Sequence, residues 1–408
     1  MLYALHEFQK TISQPLVAWI DANHRLFTSP YSPLAYTPVS RHVAASSELL
    51  TRLMRSYHKP GWHIPHVEVE GRQVPVAIEP VVSKPFCHLL HFRKAMDAPG
   101  PTVLVVAPLS GHHATLLRDT VRVLLRDFDV YVTDWVDARM VPLSEGPFHL
   151  DDYVDYVKAF IRHLGPGIAT VSVCQPTVPV LAAISLLAQE NDPCTPKVMV
   201  MMGGPIDARR NPTVVNEFAM GRPHSWFEDK VIYRVPFNYP GFMRRVYPGF
   251  LQHLSFIAMN HDRHLQAHRQ FFNHLIVGDG DSAESHRRFY DEYNAVLDMA
   301  AEYYLDTIKT VFQDFALPKG TWKVRGTLVQ PSAIRTAALF SIEGELDDIS
   351  GNGQTEAAHI LCSKIPSEKR KHLLAKGVGH YGIFSGRKYR ELIYPQIRDF
   401  VKRWSGDK

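Results

Sequence analysis

Apolar and polar positions along the chain follow three rhythms in turn. Near the start, Tyr3, Leu5, Phe8, Ile12, Leu16, Trp19 and Ile20 recur at helical spacing. Pro15, Pro30, Pro33, Pro38 and Pro60 are expected to cut this region into short helices and irregular chain. Alternation takes over at Val67-Glu68-Val69-Glu70 and again from Gln73 to Val82, with Gly71-Arg72 between them. That pattern predicts two antiparallel edge strands, which a run at Cys87–Phe92 extends.

From Thr102 short wholly apolar runs alternate with amphipathic ones. Strands are predicted over 102–107, 130–133, 167–171 and 197–202, and helices over 114–126, 150–163 and 178–187. Such alternation builds a mostly parallel sheet covered on both faces. It stops at Gly203-Gly204-Pro205. Residues 206–331 carry few strand signals and many aromatic and basic residues, with helical spacing clearest from Tyr290 to Phe315 and an end signal at Pro318-Lys319-Gly320. Strands resume over 336–342 and 371–375, with a helix near 355–364 and an amphipathic closing helix over 389–404. The organisation expected is a helical arm over 1–65, a core in two parts over 66–205 and 332–408, and a helical cap inserted over 206–331.

The 408 residues are 45% hydrophobic and 21% charged, ordinary for a globular protein with a large core. A net charge of +4 without a basic run leaves nucleic-acid binding without support. No apolar stretch is long enough to span a bilayer, and Met1–Glu7 does not read as a signal peptide. Cys87, Cys174, Cys194 and Cys362 are scattered with no C-x-x-C, which argues against a disulfide framework or a cysteine-rich zinc site. A reducing cytoplasm is the expected location. The apolar arm reads as a helix packed on the core, or as a dimer contact or docking surface for something greasy.

One corner concentrates the chemistry. In Val171-Ser172-Val173-Cys174-Gln175-Pro176-Thr177 a buried strand turns directly into a helix with a single reactive side chain at the bend. This is similar to the nucleophile elbow of α/β-hydrolases, with Ser172 and Pro176 where glycines are usual. Cys174 is the candidate nucleophile. In such a fold the acid and the histidine follow along the chain, each after a strand. Gly344-Glu345-Leu346-Asp347-Asp348-Ile349 fits G-x-x-D-x-I, favouring Asp347 over the alternative Asp348. His380 stands in the glycine-rich loop Gly377–Gly382, just before the last helix. The oxyanion of an acyl-transfer intermediate needs two backbone donors. Gln175 supplies one, and Leu109 or Ser110 supplies the other from the loop after the strand at 102–107.

Other clusters read as structural. His112-His113 are adjacent and do not converge on a metal. His261, His264 and His268 share a helix face without a completing carboxylate or thiolate. Gly278–Glu284 lacks the calcium-loop ligand order, and Asp281 with Glu284 reads as a capping box. No dinucleotide fingerprint is present, so no bound cofactor or metal is expected.

Taken together, Met1-Leu2-Tyr3, Ala107–His112, Ser172–Pro176, Met202–Asp207, Glu343–Ile349 and Gly379–Gly382 resemble the intracellular poly(3-hydroxybutyrate) depolymerases over nearly the whole length. The cysteine corner followed by Gln-Pro is the most specific of these stretches. The resemblance implies an α/β-hydrolase fold with a mostly parallel sheet and an inserted, mainly helical cap. It implies a cytoplasmic enzyme on polyhydroxybutyrate granules, in which Cys174 attacks the polyester, His380 serves as base and then acid, and Asp347 orients His380. The cap and arm are expected to touch the granule surface, with a homodimer as the other partner considered. Whether water or coenzyme A takes the acyl group is left open. The alternatives are a polyhydroxyalkanoate synthase-like acyltransferase, a general small-ester hydrolase and a non-catalytic granule-associated protein of the same fold.

Overall fold

The computed structural model describes residues 2–97, 100–259 and 261–406. The chain opens with two helices, α1 (Leu2–Thr28) and α2 (Ser40–Met54), packed side by side. Pro15 does not end α1, contrary to the sequence expectation. A mid-helix proline costs about 3 kcal/mol. The packing along α2 and the burial of Tyr3 and Ile20 on either side of Pro15 hold α1 continuous through it.

The core is a nine-stranded sheet. It begins with β1 (His66–Val69), β2 (Arg72–Lys84) and β3 (Cys87–Lys94), the antiparallel edge that the alternating pattern predicts. Then come β4 (Thr102–Val106), α3 (Arg118–Leu124), β5 (Asp129–Trp135), α4 (Leu150–Leu164), β6 (Ala169–Val173), α5 (Thr177–Gln189) and β7 (Val198–Met202). After a long insertion the sheet is completed by β13 (Ala338–Gly344), short α12 (Ala358–Leu361), β14 (Arg370–Ala375), the single turn α13 (Gly386–Lys388) and α14 (Tyr394–Ser405). Strand order is β1-β2-β3-β5-β4-β6-β7-β13-β14. Every neighbouring pair from β5 to β14 is parallel. This order, with the reactive corner after β6, is the α/β-hydrolase fold.

Burial explains the composition of the central strands. Every residue of β6, β7 and β13 is buried, as is α5 from Thr177 to Leu187, so these elements are mostly apolar on both faces rather than alternating. The polar side chains of Ser172, Ser341 and Glu343 are buried there with hydrogen-bond partners. Parallel register brings Val173, Met202 and Ile342 level across β6, β7 and β13. The loops that leave these carboxyl ends therefore start side by side, where open parallel sheets place their sites.

The insertion contains α6 (Val214–Met220), α7 (His224–Val231), β8 (Tyr233–Arg234), β9 (Arg245–Tyr247), α8 (Gly249–Met259), α9 (His261–Val277), α10 (Gly280–Tyr293), β10 (Met299–Ala300), α11 (Ala301–Thr307), β11 (Lys323–Val324) and β12 (Thr327–Leu328). Two features depart from expectation. Strands β8, β9 and β10 form a small sheet, each too short to leave an alternating signature. The span 290–315 is not one helix: it breaks after Tyr293, and Asn294–Asp298 crosses to the core, where Leu297 N–H donates to Gly111 O at 2.7 Å. The N-cap of α10 is Asp279, whose carboxylate accepts from Ser282 N–H at 3.1 Å, rather than the Asp281–Glu284 box. No described helix is long and apolar enough to cross a membrane.

Candidate active site

Cys174 sits one residue beyond β6 with φ of +67°, a left-handed conformation that costs a non-glycine residue on the order of 1–3 kcal/mol. Its N–H donates to Met202 O at 2.7 Å, and its carbonyl accepts from Thr177 N–H at 3.1 Å, so the bend is tied to β7 and to the first turn of α5. The side chain is half-buried, whereas those around it are mostly buried.

The structure brings His380 and Asp347 to the same place from the ends of β14 and β13. His380 Nδ1 lies 2.8 Å from Asp347 Oδ2, and the two side chains are 4% and 1% exposed. The other Asp347 oxygen accepts the N–H groups of Ile349 at 2.9 Å and Ser350 at 2.8 Å. A carboxylate held on both oxygens leaves Nδ1–H as the natural tautomer of His380 and turns Nε2 away from Asp347. Burial opposes a charge on His380, but the Asp347 carboxylate and the neighbouring Cys174 together push its pKa well above the ordinary histidine value. Asp348 stays exposed.

Three backbone N–H groups beside the bend are free to act as donors. Among the described residues, the N–H groups of Gln175, Leu109 and Ser110 have no acceptor within the protein. Ala107, at the start of the 108–111 loop, is clamped on both sides by β5. Its N–H donates to Thr133 Oγ1 at 2.9 Å, and its carbonyl accepts from Trp135 Nε1 at 2.8 Å. Leu109 and Ser110 remain equivalent candidates for the second donor.

Several site residues escaped the sequence reading. Gly203 has φ of +55°, and a Cβ there would lie 3.3 Å from Asp347 Oδ2 and 3.4 Å from His380 Cε1. At Gly204 a Cβ would lie 1.8 Å from Thr177 Oγ1 and 2.5 Å from Cys174 O. The glycine pair after β7 is therefore the floor against which Asp347, His380 and the Cys174 bend pack. Buried Glu343 supports it indirectly. Its carboxylate accepts from Gly353, Thr355 and Glu356 N–H groups, and Thr355 Oγ1 then donates to Gly204 O at 2.9 Å. A glycine pair following a buried strand, and a glutamate inside one, were the available signals.

Aromatic rings wall the site. From the insertion, Phe289 and Tyr293 meet Tyr381, which stands edge-on to His380 with ring centroids 5.8 Å apart. Tyr303 of α11 stacks on Tyr153, and Tyr153 stacks on Trp135. His112 is sandwiched near Phe256 and Tyr293, with Nε2 3.2 Å from Tyr293 O. Burial lowers the pKa of His112 to about 4 and that of His113 to about 3.

The remaining histidines are engaged otherwise. His264 places its two ring nitrogens 2.8 and 3.1 Å from the Tyr290 and Tyr293 hydroxyls, and His268 packs on His286 and Tyr290. Among the described residues no three histidine, cysteine or carboxylate side chains are gathered as for a metal ion. A cavity of about 950 Å³ lies apart from Cys174, between α1, α2 and α8–α10.

A family model described as "PHB de-polymerase C-terminus" matches residues 203–405, a span that holds Asp347 and His380 but not Cys174. No curated protein matches the chain. Similar solved structures include a study of carboxylesterases of the thaumarchaeon Nitrososphaera gargenis, at 13% identity over 81% of this chain and 99% of that one, with a TM-score of 0.41. An esterase from Thermogutta terrifontis matches at 12% identity over 83% and 98%, with a TM-score of 0.41. A monoacylglycerol lipase from Paleococcus ferrophilus matches at 11% identity over 74% and 95%, with a TM-score of 0.42.

Proposed function

We propose, from the premise that this chain is a PHB depolymerase-like α/β-hydrolase, that it cleaves the ester bonds of amorphous poly(3-hydroxybutyrate) through an acyl-enzyme on Cys174. The observation that carries the reading is the convergence of Cys174, at a left-handed bend, with a buried His380 held by Asp347 at 2.8 Å. An ester hydrolase needs a nucleophile, a base and an oriented acid, and these three supply them.

In the proposed reaction His380 Nε2 already holds the proton given up by Cys174, and the sulfur attacks the ester carbonyl. The Gln175 N–H, with that of Leu109 or Ser110, receives the oxyanion. Collapse breaks the C–O bond, and His380 returns its proton to the departing 3-hydroxyl end of the polymer. The thioester left on Cys174 is then resolved by water or by the thiol of coenzyme A. Asp347 keeps the imidazolium oriented throughout without itself taking a proton.

The aromatic wall of Phe289, Tyr293, Tyr381 and Tyr303 supports a greasy, uncharged chain as substrate. A cytoplasmic place on the surface of polyester granules follows from that substrate. Mass spectrometry of enzyme quenched during turnover tests the covalent step. An adduct of 3-hydroxybutyryl units on the peptide carrying Cys174 is expected, and a modified residue elsewhere would overturn the assignment.

A further inference from the structure

Helix α1 is amphipathic the wrong way round for a monomer. Leu5, Phe8, Ile12, Leu16, Trp19 and Leu26 are between 49% and 65% exposed. At 100° per residue they fall on one stripe, while Glu7, Lys10, Asp21 and Arg25 project from the other side. Glu7 is drawn inward to Tyr239 at 2.8 Å and to Lys10 at 3.1 Å. Weighted by these exposures the stripe amounts to roughly 700 Å² of apolar surface, at or above the largest patch an ordinary monomer leaves bare. It also approaches the ~800 Å² each partner contributes to a stable interface.

We infer that this stripe is the seam of a homodimer, in which α1 of one copy packs antiparallel against α1 of a second. The spacing favours a helix over a flat surface as its occupant. Leu5, Ile12, Trp19 and Leu26 are seven residues apart, the period of a coiled-coil seam. The flanking positions Ala4, Thr11, Ala18, Gln9 and Asn23 are small or neutral and allow close approach without like charges meeting. No cationic fringe borders the stripe, as an anionic membrane would require. Size decides the direction. Antiparallel pairing sets Leu5 against Leu26 and Trp19 against the smaller Ile12, whereas parallel pairing sets Trp19 against Trp19. A two-fold axis near Pro15 and Leu16 closes the assembly at two copies.

Sedimentation velocity of the full chain at micromolar concentration is expected to give twice the 46.3 kDa chain mass. Ile12→Glu and Trp19→Glu are expected to halve that mass while leaving turnover of a soluble short ester unchanged. The paired variant Leu5→Cys/Leu26→Cys gives a second readout that does not depend on disrupting the fold. Oxidation should yield a covalent dimer that wild type and either single variant do not form. A monomeric wild type would overturn the inference, as would a dimer that survives both glutamate variants. A third overturning result is a monomeric wild type whose glutamate variants lose only co-sedimentation with amorphous polyester particles. That result assigns the stripe to the polymer.

Discussion

His380 Nδ1 lies 2.8 Å from Asp347 Oδ2, while Asp348, the next residue, remains exposed. The two adjacent carboxylates therefore separate cleanly in their expected effects. Asp347→Asn should lower kcat by about 10³–10⁴-fold, the scale on which a misoriented triad histidine fails. Asp348→Asn should stay within about twofold, as surface changes do. Steady-state kinetics of both variants on a soluble ester checks this, and the reverse ranking would reassign the acid.

The same pair sets a pH signature. Asp347 raises the His380 pKa, so the folded protein retains that proton at a pH where a free histidine has lost it. The stabilisation from this proton is complete below the ordinary value of about 6.5 and disappears as pH rises through the raised one. Replacing Asp347 by Asn should move the histidine NMR titration of His380 to lower pH. An unmoved titration would mean that Asp347 does not hold the base.

The bend at Cys174 stores strain, with φ of +67°. Cys174→Gly and Cys174→Ala should both abolish acyl-enzyme formation. Only glycine relaxes the +67° φ, so it should be more stable than alanine by about 1 kcal/mol in urea unfolding. Equal stabilities would argue that the bend carries no cost.

Much of this was legible in the chain. Cys174 and Asp347 each follow a wholly buried strand, β6 and β13, whereas His380 follows β14, where only the Leu373-Leu374-Ala375 end is apolar, and their order restricts where each can stand. What was not legible depends on distant partners. Pro15 reads as a helix breaker because its own turn loses a hydrogen bond, whereas the packing of α1 on α2 lies outside that window. Strands of two or three residues, such as β8 and β10, have no period to detect. Gly203 and Gly204 look like loop punctuation until the Thr177 and Cys174 atoms that would collide with a Cβ are in place.

That collision gives a further expectation. Gly204→Ala puts a methyl group 2.5 Å from a backbone oxygen that cannot swing aside. It should destabilise the protein by about 2–4 kcal/mol and shift the Cys174 bend, costing activity beyond the loss of folded protein. Denaturant unfolding, together with activity per folded molecule, measures both. A fully active, stable variant would contradict the floor assigned to this residue.

Acid lability should trace partly to buried neutral histidines. The pKa of His112 is lowered to about 4 by burial, so between about 6.5 and 4 the unfolded chain binds a proton that the native state refuses. Stability falls with pH across that window. Asp137 acts in the opposite sense, because burial and then Asp298 raise its pKa to about 7. The difference between variant and wild type isolates the histidine: His112→Gln should flatten the pH dependence of unfolding there by close to one proton. An unchanged slope would show that His112 is protonated in the native protein.

The central claim is a cysteine-dependent cleavage of storage polyester. The most direct measurement is release of 3-hydroxybutyrate species from amorphous poly(3-hydroxybutyrate) granules by wild type and Cys174→Ala, each with and without coenzyme A. Release by wild type and none by Cys174→Ala is the predicted result, with 3-hydroxybutyryl-coenzyme A appearing if the thiol resolves the acyl-enzyme. No release from granules, with soluble esters still cleaved through Cys174, would contradict the substrate. Undiminished release by Cys174→Ala would contradict the nucleophile.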